Sequence, residues 1–210
     1  MTRFMQNHFN QQLATNKAVS ITGLAKQDIK DIAESILVER SSSLQKEVRH
    51  CISRYEKTQE MAAPFSALLY CFSTIDLLGS LYAGKFNKGN TKTTKIYMKD
   101  LIHYTDFQIL LLQEIFRHKL VHTAEPKWLY EKNGECYTWS CYADKRSEHL
   151  KCIVVDKEAR ANNFSISIWS LVEDIVNSIH GTNGYLNMVM SNQNNCFDKF
   201  SKVFNKLSGA

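Results

Sequence analysis

Three side chains near the middle of the chain are of the types that move protons and hold phosphates: Arg117, His118 and His122, within the stretch LLQEIFRHKLVHTAEPK. A neutral imidazole takes a proton near neutral pH, and a guanidinium grips a phosphate through two parallel N–H bonds. Together they meet the needs of metal-free RNA cleavage, a base for the 2′-hydroxyl and a clamp for the charged phosphorane. His118 and His122 stand at i and i+4 and share a helix face, whereas Arg117 and His122 lie about 140° apart around an ideal helix. The same residues have a purely structural reading. Basic groups in a last helical turn complement its negative end, worth about 0.3–1 kcal/mol each.

An apolar helix must position these groups. In DFQILLLQEIFRHKLVH the spacing predicts a helix capped by Asp106, with Phe107, Leu110, Leu111, Ile115 and Leu120 turned inward. Pro126 biases Glu125 out of helical geometry, which places the helix end near His122 to Ala124. Upstream, GLAKQDIKDIAESILVER and SSSLQKEVRHCISRYEKTQEM read as two amphipathic helices, with Ser41 to Ser43 as candidate N-caps between them. Pro64 opens a third helix that runs to Gly79 or Gly84, and TKIYMKDLIHY starts a short one. Downstream the pattern alternates, and Asn133-Gly134 predicts a hairpin, so an antiparallel meander is expected near 128–131, 135–142 and 150–155. Helices return in SISIWSLVEDIVNSIHG and NCFDKFSKVFNKLSG, with a loop at 181–195 between them. The expected fold class is mainly α, with a small antiparallel β-meander at about 128–156 inserted after the motif helix. Residues 1–23 read as a loosely ordered N-terminal arm and residues 24–210 as one helical domain, long enough to bury a core.

The excess of positive charge is concentrated in residues 61–100, which carry five basic groups against two acidic ones. Those five are Lys85, Lys88, Lys92, Lys95 and Lys99, and with Lys119 and Lys127 they are a candidate phosphate-facing surface. A solvated lysine face is the alternative. Asp76 lies inside the apolar run PFSALLYCFSTIDLLGSLYAG, either as a hydrogen-bonded core carboxylate or as part of a site. In a bilayer it would cost about 2.5 kcal/mol or more, so the run reads as a core helix. The cysteines form no close pair and the N-terminus lacks a secretory apolar run, which predicts reduced thiols and a cytoplasmic location. Cys136, Cys141, His149 and Cys152 fit no standard zinc spacing, and Lys119 stands where the HExxH motif needs Glu. GKFNKG lacks the order of a P-loop, so neither metal nor cofactor is expected. Tyr130, Tyr137, Trp139 and Tyr142, on the expected strands, either pack or stack on bases.

The stretch LLQEIFRHKLVHTAEPK resembles the fourth-helix signature of HEPN (higher eukaryotes and prokaryotes nucleotide-binding) domains: an Arg, then commonly Asn, Asp or His, and a His after four to six intervening residues. Arg117, His118 and His122 fill those places, and the order of helices over about residues 42–126 is similar too. The resemblance implies an up-and-down helical bundle, usually a homodimer in which two Arg/His helices face each other across a two-fold axis. It also implies a metal-independent endoribonuclease: 2′-hydroxyl attack leaves a 2′,3′-cyclic phosphate, in a toxin–antitoxin or anti-phage setting. Carried over, His122 is the proton-transfer residue or phosphate contact and Arg117 the clamp for developing charge. His118 is then the supporting polar residue, and Asp76 resembles the acidic residue that some members place near the site. The implied partners are RNA, such as tRNA or phage or host mRNA, and an antitoxin or other defence protein, with no membrane. Members paired with nucleotidyltransferases often have a Tyr two residues after the His; Ala124 stands there, so that modifiable arrangement is not expected. The alternative is a non-catalytic adaptor of the same fold that binds RNA, nucleotide or a protein.

Overall fold

The computed structural model describes residues 26–58, 60, 62–85 and 91–207. The expected N-terminal arm, Leu24 and Lys88 lie outside them. Of the described residues 69% are helical, and the remainder include a small mixed sheet.

Helix α1 (Lys26–Thr58) runs unbroken through Ser41 to Ser43, where the sequence predicts a boundary. Neither Pro nor Gly interrupts it, and the serine that falls on the inner face is satisfied without a break. Ser41 donates to the Val38 carbonyl at 2.9 Å and lies 2.7 Å from His180 Nε2. The stripe Ile32, Leu37, Leu44 and Val48 is buried across the predicted boundary. Helix α2 (Ala62–Ala83) is the core of the bundle, with Leu68, Phe72, Ile75 and Leu78 fully enclosed. Among the described residues it is the one helix long and apolar enough to cross a bilayer, and 56% of that span lies inside the protein. A left-handed Gly84, φ +66°, ends it.

Gly79 sets the distance to the next helix, α3 (Thr91–Asp100). A Cβ there would lie 2.9 Å from the Thr93 carbonyl oxygen, so α2 and α3 meet backbone to backbone. That approach brings Thr94 against Asp76, one turn before the glycine.

The motif helix, α4, comprises Asp106–Leu111, a π-helical turn over Leu112–Arg117, and His118–Thr123. Its cap is Thr105, in a capping box with Gln108, and not Asp106 as expected. Asp106 instead takes Lys95 at 3.2 Å and Lys99 at 2.9 Å. Phe107 is not inward: it is 44% exposed and rests edge-on against Tyr137. The π-turn adds a residue to one turn and rotates the apolar face, so Ile109, Leu112 and Phe116 are fully buried beside Leu111 and Ile115. The helix closes at a left-handed Ala124, two residues before Pro126.

The β-region departs from a meander. Strands β1 (Tyr130–Lys132), β2 (Glu135–Tyr142), β3 (Cys152–Asp156) and β4 (Ala161–Ser167) form a mixed sheet in the order β1-β2-β4-β3. Asn133 and Gly134 make the expected β1–β2 turn, both with positive φ. The unforeseen β4 inserts between β2, to which it is parallel, and β3, to which it is antiparallel. Its stretch Ser165-Ile166-Ser167 reads locally as a helix start; pairing on both edges extends it, and Phe164 and Ile166 join the core. Ser167 then caps α5 (Ile168–His180). The expected loop at 181–195 contains a short helix, α6 (Tyr185–Ser191), with Tyr185, Met188 and Val189 buried, and α7 (Cys196–Leu207) follows.

Candidate functional site

The π-turn of α4 ends on Arg117, and the close α2–α3 crossing puts a carboxylate in front of it. Arg117 Nε reaches Asp76 Oδ1 at 2.8 Å and Nη2 reaches Oδ2 at 3.0 Å, a two-pronged pair with side chains 10% and 20% exposed. Nη1 donates to Thr91 Oγ1 at 3.2 Å, and Thr94 donates to Asp76 Oδ1 at 2.6 Å. Gln113 fixes the start of α3 by donating to the Thr91 carbonyl at 3.1 Å. His118 stands beside this centre, its Nε2 3.4 Å from Thr91 Oγ1 and its Nδ1 3.7 Å from Glu114 Oε1. Three of the five guanidinium N–H groups of Arg117 are thus committed, in an orientation fixed by α2 and α3. The carboxylate offsets the guanidinium charge, so attraction of an anion falls to the neighbouring cations.

The candidate residues therefore divide. Asp76, Arg117 and His118 come together, whereas His122 is exposed on the last turn and takes no part in that hydrogen-bond network. Lys85, Lys92 and Lys119 are exposed. Lys95 and Lys99 share Asp106, and Lys127 lies over the Tyr130 ring at 5.2 Å. Thr91, Thr94 and Gln113 are not among the residues expected at a site. The signals that could have found them are a threonine pair at i and i+3 among the lysines, and an amide directly after three leucines.

A second polar cluster joins the sheet to α5. Asp174 accepts from Arg146 Nη1 at 2.6 Å and from the Tyr104 hydroxyl at 2.7 Å, and His149 Nε2 stands 3.4 Å away. His149 Nδ1 accepts from the Ser167 N–H at 3.1 Å. Burial pushes Asp174 up, but the hydrogen bonds from His149, Tyr104 and Arg146 outweigh it and hold the carboxyl below its usual range. Burial and the Asp174 charge raise Tyr104 well above an ordinary phenol. Asp174 also lines an open cleft of about 320 Å³, together with His103 and Ser178.

Burial pushes the Cys71 thiol far up and that of Cys141 up to about 12, so neither of these two is a ready nucleophile. Among the described residues no group of three His, Cys, Asp or Glu side chains is arranged to hold a metal ion. The strand aromatics are mostly packing: Tyr137 is buried, and Trp139 is wedged between Phe65 and Phe116. No protein-family profile, no curated protein and no solved structure matches the chain.

Proposed function

We propose that the chain is a HEPN-type, metal-independent endoribonuclease acting in the cytoplasm, in a toxin–antitoxin or anti-phage setting. The observation that carries this reading is the two-pronged Asp76–Arg117 pair, with His118 beside it, at the end of an apolar helix. In this reading Asp76 and Thr91 hold the guanidinium in one orientation, and its uncommitted N–H groups meet the phosphorane. His122 takes the 2′-hydroxyl proton, the 2′ oxygen bonds to phosphorus as the P–O5′ bond breaks, and the 5′ oxygen takes a proton from solvent to leave as a 5′-hydroxyl beside a 2′,3′-cyclic phosphate. His122 lies outside the Arg117 network, which suits a homodimer in which facing motif helices complete each other's sites. Lys85, Lys88, Lys92 and Lys119 supply the field that draws RNA in; Lys95 and Lys99 contribute less, being shared with Asp106.

The test is cleavage of tRNA and mRNA in EDTA. Wild type should cut, and His122→Ala should lose about 10²–10⁴-fold in rate. Arg117→Lys keeps the charge without the fork and should also fall. If wild type cuts no RNA, or His122→Ala cuts as well as wild type, the reading fails. The burial of Arg117 favours a second reading, in which the pair is a structural latch and the chain a non-catalytic adaptor. RNA or protein binding with no turnover would select it.

A further inference from the structure

Trp128 is 73% exposed, more than any other large apolar side chain among the described residues. It is not loosely hung. Its ring lies 6.0 Å from that of Trp139, which sits 5.8 Å from Phe65 and 5.7 Å from Phe116, so an aromatic column backs it from the core outward. The preceding peptide is pinned on both sides: the Lys127 N–H donates to the Ile115 carbonyl within the π-turn at 2.7 Å, and the Lys127 carbonyl accepts from Trp139 Nε1 at 3.1 Å. The same turn that ends on Arg117 therefore anchors the segment bearing the indole.

A flat ring with one side supported and the rest in water gains free energy by covering that area with another flat, apolar surface. The charge beside it selects what kind. Lys127 Nζ is held over the Tyr130 ring at 5.2 Å, next to the indole in the chain, and Lys119 is exposed on α4. An aromatic face with an ammonium group held on the neighbouring residue is the pattern that takes a nucleobase together with its phosphate.

We infer that Trp128 is a stacking platform for one unpaired base of single-stranded RNA running past the motif helix, with Lys127 meeting the adjacent phosphate. RNA as the ligand is taken from the ribonuclease reading, but binding here requires no cleavage. The probe is a short unstructured 2′-O-methyl oligonucleotide, which lacks the nucleophile, titrated in EDTA with anisotropy and tryptophan fluorescence as readouts. Wild type should bind with quenching; Trp128→Ala should bind about 5- to 150-fold more weakly and lose the quench, while Trp128→Tyr, which keeps a ring, recovers most of the affinity. Thermal unfolding of both variants checks that each is folded. Equal affinity in wild type and Trp128→Ala overturns the inference, as does an absence of oligonucleotide binding by wild type. Equal affinity with a dimer-to-monomer shift in Trp128→Ala by light scattering overturns it in favour of a contact between two copies. Trp128-dependent binding without cleavage of ordinary RNA sinks the ribonuclease reading and leaves the platform standing; cleavage with Trp128-independent binding does the reverse.

Discussion

Asp76 and Asp174 are carboxylates set into apolar helices and each is held by an arginine, yet the two centres are finished differently. Around Asp174 the donors close on one another: Arg146 on Oδ1, Tyr104 on Oδ2 with His149 beside it, and the far nitrogen of His149 capped by the Ser167 N–H. That makes a joint between the sheet and α5. Around Asp76 the carboxylate is held by Arg117 and Thr94, and the histidine beside the pair, His118, is half-exposed, whereas His149 is buried with both ring nitrogens engaged. A buried ring with both nitrogens engaged rigidifies, whereas a half-exposed ring beside a guanidinium can meet a ligand. For that reason the proposed chemistry sits on α4 and not on α5.

The largest effect should come from breaking the pair that carries that difference. Asp76→Ala leaves the Arg117 charge nearly buried and alone, at a cost of about 3–5 kcal/mol in urea unfolding. Asp76→Leu combined with Arg117→Met removes both charges at similar volume and should recover most of the loss. A double variant as unstable as the single one would show that the lone charge is not the cause.

The joint at Asp174 should break more gently and with a pH signature. Asp174→Asn should cost about 1.5–3 kcal/mol, the worth of hydrogen bonds to a charged group. Because the folded carboxyl sits below its usual range, its contribution is present above about pH 4 and is lost as pH falls through the lower folded value. The stability gap between wild type and Asp174→Asn should hold from neutral pH to about 5 and narrow below about 4. A gap that persists in acid would detach Asp174 ionisation from folding. The smallest effect belongs to His122→Ala, expected to change stability by no more than about 0.5 kcal/mol because the ring is exposed. A fall in unfolding temperature of several degrees would make His122 a structural group of the helix end.

The parts of the fold that were legible in the sequence are those decided within a few residues. Alternation and Asn133-Gly134 located a hairpin, Pro126 bounded the motif helix, and apolar spacing found α2 and the inward stripe of α1. Ser41 to Ser43 misled because serine caps and serine back-bonding look alike until the neighbouring helix is known. At Phe107 the apolar set failed because a π-turn downstream changed the face. Strand β4 escapes a local reading because Ser165-Ile166-Ser167 looks like a helix start until β2 and β3 pair with it on both edges.

A mainly helical chain, the placement of Arg117, His118 and His122 at one helix end, and an acidic residue within an apolar run are all readable from the residues alone. Each follows from composition and local periodicity. Packing set Asp76 to face Arg117, since that depends on Gly79 letting α2 and α3 touch and on the π-turn aiming the guanidinium. It also decided that Thr91 joins the centre, that His122 stands apart from it, and that Trp128 is held on the surface. Such outcomes depend on how separate elements pack, and no stretch of sequence encodes them alone.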